Sequence, residues 1–414
     1  MTQTQTEVAQ SVFVARQPIL NQTQDTYAYE LLFRSGLENC CMAADGDAAT
    51  LDVISRTFVE IGLDELTAGK PCFINFGRRL LLEKIPHLLP PELVTVEVLE
   101  DVEPDKEVIE SCRQLKEAGY KLALDDFVLA DSGHPLLDMV DIVKVDFIGT
   151  SPDERVQIVE DLLRRGIPGL AEKVETYQEY EDAKRAGYSY FQGYFFGKPV
   201  IKEGKTITSN RLACLELLQE VHRPEMSIDR VENAIKKDAA LTYRLLQCIN
   251  SAWFGLKNEV NSIHHALVLL GPPEIRKWLA LISLRNMASG KPNELMIQAL
   301  VRAKMAEELA PDLGMQGASP ELFLMGMFSV LDAMLDKPME EILAKLPVNP
   351  EITSALTGEP GRFRDVLNLI QAFERASWTT FSQCATGLDL AEETVQSVFQ
   401  HSVKWASDAF AMSA

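Results

Sequence analysis

Eight short runs rich in β-branched and aromatic residues recur through the first half of the chain. They fall at residues 12–20, 27–33, 72–76, 94–100, 122–127, 142–147, 169–174 and 190–196. Amphipathic helical segments lie between most of them, at 48–61, 105–118, 152–165 and 177–186, with two shorter ones at 78–85 and 135–140. Nearly continuous apolar strands alternating with helices specify a parallel sheet covered on both faces. Eight such strands within residues 11–200 favour a compact (β/α)8-like barrel over an open sheet. The first two runs are joined by the polar turn Asn21-Gln-Thr-Gln-Asp25, so a hairpin, and with it an antiparallel first strand, is expected.

Polar residues then fall at one end of these apolar runs. Lys121-Leu-Ala-Leu-Asp-Asp-Phe127 is a short strand that ends in two adjacent carboxylates, Asp125 and Asp126. Two like charges at a buried strand end repel unless a cation or hydrogen bonds compensate them. An isolated Asp-Asp pair would read as a turn cap, but the arrangement repeats. Glu30 lies in the second strand, Asn75 near the end of the third, and Glu97 and Glu100 late in the fourth. Lys144 and Asp146 lie in the sixth, Glu172 and Glu175 at and after the seventh, and Gln192 in the eighth. The carboxyl ends of parallel barrel strands form one face, where such barrels place their chemistry. Carboxylate and amide oxygens are hard ligands suited to Mg²⁺ or Mn²⁺. Two such ions about 4 Å apart suit hydrolysis of a phosphodiester, with a spare carboxylate as general base and a lysine to hold water or developing charge.

Charge sharpens this reading. The formal net charge is −21. Residues 1–204 hold 20 Lys/Arg against 36 Asp/Glu, a balance of −16, and the remainder 20 against 25, a balance of −5. Such a chain lacks the basic footprint for sequence-independent binding to nucleic acid or anionic membrane. Most of that acidity keeps a protein soluble, and an acidic first half also suits a divalent cation. The seven cysteines form no Cys-x-x-Cys pair, so reduced thiols in the cytoplasm are expected rather than a disulfide framework or a zinc site. The first ten residues have neither a basic start nor an apolar run, so a flexible N-terminus is expected there and no signal peptide. No apolar run approaches the roughly 20 residues of a membrane span.

Taken together, these motifs resemble the EAL family, cyclic di-GMP phosphodiesterases on a barrel fold. The matching stretches are Tyr29-Glu-Leu-Leu-Phe-Arg34, Ile74-Asn-Phe76, Glu97-Val-Leu-Glu100, Asp125-Asp-Phe127, Lys144-Val-Asp146, Ala171-Glu-Lys-Val-Glu-Thr176 and Gln192-Gly-Tyr194. The resemblance implies Glu30, Asn75, Glu97 and Asp125 as ligands of a first metal ion, and Asp126 and Asp146 for a second. It implies Glu172 as general base, Lys144 and Gln192 as water-positioning groups, Glu175 as a further member of the site, and Gln17 and Arg34 as nucleotide contacts, a role that the planar fork of arginine suits. There are departures. Val128 stands where the family has a glycine after Asp-Asp-Phe, and a β-branched residue does not take glycine conformations cheaply. Lys173 replaces a glycine beside the base, and the stretch between Glu30 and Asn75 is shorter than usual.

A polar linker is expected at 201–209, and from 210 to 414 the period is helical. Asp238 is read as the cap of a helix over 239–250, and Ser262 as the cap of one over 263–270 that Gly271-Pro-Pro273 ends. Lys237-Asp-Ala-Ala-Leu241, the stretch from Leu245 to Gly255 and the stretch from Ser262 to Gly271 resemble the HDOD domain, an all-helical relative of the HD phosphohydrolases. No His-Asp dipeptide occurs anywhere, and Ser329-Val330 stands where an HD-type helix would supply one. An interaction module is therefore expected, not a second enzyme. Trp253, Trp278, Trp378 and Trp405 are read chiefly as core, with an interface role for some.

The expectation is α/β then all-α: residues 1–10 flexible, 11–200 an EAL-like barrel, 201–209 a linker and 210–414 an HDOD-like helical domain. If active, the barrel hydrolyses cyclic di-GMP to linear pGpG with Mg²⁺ or Mn²⁺, two ions being implied. The helical domain then regulates it or binds a protein partner, and a homodimer is conceivable. The competing expectation is an inactive EAL–HDOD scaffold or a cyclic di-GMP receptor that works through protein contacts.

Overall fold

The computed structural model describes residues 12–35, 63–128, 133–199, 227–236, 242, 245, 246, 249, 250 and 260–413, the last apart from 261, 289, 345 and 347. Two compact units divide the chain. The first joins residues 1–195 to 371–386 and 391–400; the second comprises 196–370, 387–390 and 401–414. The sequence placed 371–386 and 391–400 with the helical half, whereas by contact they group with the barrel strands. The expected linker at 201–209 lies outside the described residues.

All eight expected strands form. They are β1 (Val12–Asn21), β2 (Thr26–Ser35), β3 (Cys72–Phe76), β4 (Val94–Val98), β5 (Lys121–Leu124), β6 (Ile142–Asp146), β7 (Gly169–Glu172) and β8 (Tyr190–Gln192). They close into a barrel in chain order. The first strand runs antiparallel to both β2 and β8, and the other neighbours pair in parallel.

The strand period of two then decides what lies inside. One buried apolar layer is formed by Ile19, Ala28, Phe73, Ala123, Ile142 and Leu170, against which Tyr27 and Tyr190 pack. Burying each large side chain of this layer contributes ~1.5–3 kcal/mol. Two residues further along the same strands come Glu30, Asn75, Asp125, Lys144 and Glu172, and two residues back along the antiparallel β1 comes Gln17. A single apolar floor therefore obliges a polar layer above it at the carboxyl ends.

The covering helices follow their sequence signals. Asp105 caps the helix Lys106–Glu117 by accepting from the N–H groups of Glu107 and Val108. Ser151 with Glu154, and Thr176 with Glu179, close reciprocal capping boxes at the helices Pro152–Arg165 and Tyr177–Ala186. The expected helix over 135–140 is instead a run of turns, because six residues between Pro135 and β6 offer too few hydrogen bonds to repay helix nucleation. The expected helix over 48–61 lies outside the described residues.

The second unit is helical. Ser262 caps a helical run from Ile263 by accepting from the His265 N–H. Gly271, at the non-helical φ 71° and ψ 167°, ends this first helix as expected, and a second helix follows it directly to Met287. The expected helix over 239–250 lies largely outside the described residues. Trp278 is buried, and Trp405 meets Phe323 edge to face at 5.9 Å. No described helix is long and apolar enough to cross a membrane.

Candidate active site

The polar layer converges on the Lys144 ammonium. Its Nζ is hydrogen-bonded to Glu97 and lies 2.6 Å from Glu172, 3.0 Å from Asp125 and 3.6 Å from Glu30. Lys144 is 1% exposed and Glu97 is fully buried. Four carboxylates thus share one positive charge where water cannot screen them, which is costly unless further cations or protons enter. Amide groups extend the network. Asn75 Nδ2 donates to Glu30 Oε1 at 3.1 Å, and Gln192 Nε2 donates to Glu30 Oε2 at 2.6 Å and to Gln17 Oε1 at 3.1 Å.

The electrostatics follow from crowding. Burial, reinforced by Glu30, Asp125 and Glu172 against the opposing pull of Lys144, holds the Glu97 carboxyl well above the usual carboxylate range. Burial also pushes Glu172 up to about 8, with Lys144 opposing and Glu30 and Asp125 adding to it. Burial works against the Lys144 charge, yet Glu172, Glu30, Glu97 and Asp125 together lift its pKa well above the ordinary lysine value. Lys144 therefore stays charged, and Glu97 and Glu172 hold protons more tightly than free carboxylates do.

A second, smaller group adjoins the first. Asp126 follows Asp125, and Asp146 ends β6. The Lys173 ammonium lies 2.7 Å from Asp146 Oδ2 and 3.7 Å from Asp126 Oδ1. Although burial opposes the shift, Lys173 and the backbone N–H groups of Ile148 and Gly149 hold Asp146 below its ordinary pKa. Asp126 is shifted upward by burial and by Asp125.

Close backbone approach keeps Gln192 in place. Gly193 has φ 144°, and a Cβ there would lie 2.2 Å from the Val174 carbonyl oxygen. Only glycine therefore lets the end of β8 lie against the segment after β7.

Two of the residues named from sequence lie elsewhere. Arg34 is buried beside residues 378–400 within the same unit. Its Nη1 donates to Ser382 Oγ at 3.0 Å and lies 3.3 Å from Glu392, and its guanidinium sits over the rings of Phe13 and Trp378. Glu175 is exposed beyond β7, with its backbone N–H donating to Glu179. Sequence reasoning missed Ser382, Glu392 and Gln396, whose Oε1 accepts from the buried Val14 N–H at 2.9 Å. They lie more than 340 residues from their partners and carry no local signal.

The donor set fits a divalent cation. Buried Asn75 Oδ1 and Glu97 Oε2 have no hydrogen-bond partner among the described residues. Carboxylate oxygens of Glu97, Asp125 and Glu172 come within 4.8 Å of one another. Unpartnered hard oxygens beside surplus negative charge are what such an ion binds. In the second unit, Arg302 is fully buried and donates to Ser329 Oγ at 3.0 Å, at the dipeptide where an HD-type pair would stand. The trio of exposed Asp229, half-buried Glu232 and exposed His264 there is tied by a 2.8 Å contact between His264 Nδ1 and Glu232.

Comparison with known proteins matches residues 4–199 to the EAL domain and residues 211–337 to the HDOD domain. The uncharacterized protein YuxH of Bacillus subtilis is 37% identical over 403 residues, covering 95% of this chain and 98% of that one. Cyclic di-GMP phosphodiesterase CdgJ of Vibrio cholerae is 35% identical over 401 residues, covering 96% and 93%. Among solved structures, the manganese and cyclic di-GMP complex of Klebsiella pneumoniae BlrP1 is 25% identical, with a TM-score of 0.37, covering 45% of this chain and 55% of that one.

Proposed function

The chain belongs to the family of proteins that join an EAL domain to an HDOD domain, and on that premise we propose that its barrel is a metal-dependent phosphodiesterase that opens cyclic di-GMP to pGpG. The observation that carries this reading is the convergence of Glu30, Asn75, Glu97, Asp125 and Glu172 around Lys144, with the Asn75 and Glu97 oxygens left unpartnered. The relative CdgJ bears the name of that activity over the same two-domain length.

Glu30, Asn75, Glu97 and Asp125 would hold the ion, which when bound supplies positive charge for the scissile phosphate and lowers the pKa of water. Glu172 takes the proton from the attacking water. Burial lifts its pKa to about 8 in the metal-free site, and a cation bound beside it would lower that value toward the range of a base working near neutral pH. Lys144, 2.6 Å from Glu172, fixes that carboxylate and offers its ammonium to charge developing on phosphate oxygens. Gln192 and Gln17, joined at 3.1 Å, orient water or nucleotide at the rim. The helical half regulates this barrel or docks a protein partner, and the chain acts in the cytoplasm.

One specific observation favours a receptor or scaffold instead: Arg34, implied as a nucleotide contact, is engaged by Glu392 and Ser382. The test is release of pGpG by the full-length chain with Mn²⁺ or Mg²⁺ and with EDTA. Metal-dependent release supports the enzyme. Calorimetric binding of cyclic di-GMP with Ca²⁺, without turnover in Mn²⁺, would make the barrel a receptor.

A further inference from the structure

Lys173 is the one lysine of the site that the family pattern does not lead one to expect. It follows Glu172 directly, in backbone geometry with φ 53°, in the left-handed region where a glycine would sit without strain. A lysine kept in that conformation implies a compensating interaction. The structure shows one: the ammonium lies 2.7 Å from Asp146 Oδ2 and 3.7 Å from Asp126 Oδ1. Asp146 is satisfied on both oxygens, because its Oδ1 accepts from the Ile148 N–H at 2.6 Å. Asp126 and Asp146 are the pair that the resemblance assigns to a second ion.

The contrast with the neighbouring group decides the matter. Around Lys144, four carboxylates face one ammonium, and the oxygens of Asn75 and Glu97 stay unpartnered. That group still calls for a cation. Around Lys173, two carboxylates face one ammonium; Asp126 Oδ1, 3.7 Å from it, accepts no hydrogen bond, but both Asp146 oxygens are bonded, so an entering ion would have to displace the Lys173 side chain from Asp146.

We propose that Lys173 is a built-in monovalent cation occupying the second cation position, so that the barrel takes up one exchangeable divalent ion rather than two. The inference rests on the metal-dependent reading above and specifies its stoichiometry. Lys173 is tethered next to the general base, so its local concentration is high and its occupancy does not depend on the cation supply. Two divalent ions would be needed only where glycine replaces it.

The test counts Mn²⁺ on the full-length chain by electron paramagnetic resonance of free and bound ion. The wild type is expected to bind one ion per chain with the spectrum of an isolated Mn²⁺. Lys173→Gly and Lys173→Met are expected to bind two, with the broadened spectrum of a spin-coupled pair. Lys173→Arg, which keeps the charge, is expected to stay at one. Glu97→Gln added to Lys173→Gly removes the first ion and leaves one uncoupled, which shows that the added ion sits elsewhere than the Glu97 group. Two coupled ions in the wild type, or one ion in both Lys173→Gly and Lys173→Met, would overturn the inference alone. No ion in the wild type or in any variant would overturn the metal reading and the inference with it.

Discussion

The two carboxylate groups at the barrel rim each surround a lysine, yet they are built differently. Lys144 is delivered by β6 itself, 1% exposed, and faces Glu30, Glu97, Asp125 and Glu172. Lys173 stands on the loop after β7, its side chain 47% exposed, and faces only Asp126 and Asp146. In the first group the low local dielectric makes each unpaired charge expensive, so Glu97 and Glu172 hold protons, and oxygens of Asn75 and Glu97 are left without a partner. In the second, water screens the charges and one ammonium is nearly sufficient. Burial is what sets the two clusters apart.

Removing each lysine is the most direct way to break that comparison, and the largest effect is expected at Lys144. Lys144→Met leaves four buried carboxylates without their cation, so metal-free stability should fall by about 3–5 kcal/mol, as for other broken buried pairs. Urea unfolding measures this, and Mn²⁺ should recover much of the loss. Equal stability with and without Lys144 would show that the carboxylates are already protonated.

Glu172 and Asp146, one from each group, should next respond to pH with opposite signs. The Glu172 pKa is raised in the fold, to about 8 from 4.5, so the native state binds a proton that the unfolded chain has released. Metal-free stability should therefore fall as pH rises from about 5 to about 8, by up to roughly 1.4 kcal/mol per pH unit for one proton. Glu172→Gln should flatten the slope. Asp146 is held below its ordinary value by Lys173 despite partial burial, so its contribution is present above the ordinary aspartate range and is lost on acidification below it. Asp146→Asn should weaken only that acidic limb.

The smallest effect is expected at the loop. Lys173→Gly loses an exposed ion pair worth about 0–1 kcal/mol and relieves a left-handed backbone that costs a non-glycine residue roughly 1–2 kcal/mol. Thermal melting should therefore show the metal-free variant between unchanged and about 2 kcal/mol more stable than wild type. A loss comparable to that for Lys144→Met would mean that the two groups are not distinct.

Much of this architecture was legible in the chain. The strands are short and apolar on both faces, and the period of two that builds a floor from Phe73, Ala123, Ile142 and Leu170 also sends Asn75, Asp125, Lys144 and Glu172 to the rim. Local caps were readable for the same reason: Ser151 and Thr176 act within three residues. Arg34 was not readable. Its fate is set by Ser382 and Glu392, which no spacing rule connects to a strand in the first hairpin. Lys173 was visible as a departure, but its left-handed backbone and its reach to Asp146 exist only once β6 and β7 pair Asp146 with Glu172.

The central claim is that the buried group around Lys144 is the catalytic apparatus, with Glu172 as its base. The most direct test is cyclic di-GMP hydrolysis at saturating nucleotide and Mn²⁺, wild type against Glu172→Gln, with nucleotide binding measured in parallel in Ca²⁺. The account predicts Mn²⁺-dependent pGpG formation by the wild type and a loss of about 10²–10⁴ in kcat in the variant, with binding retained. Undiminished turnover by Glu172→Gln, or none by the wild type in Mn²⁺ or Mg²⁺, would contradict it.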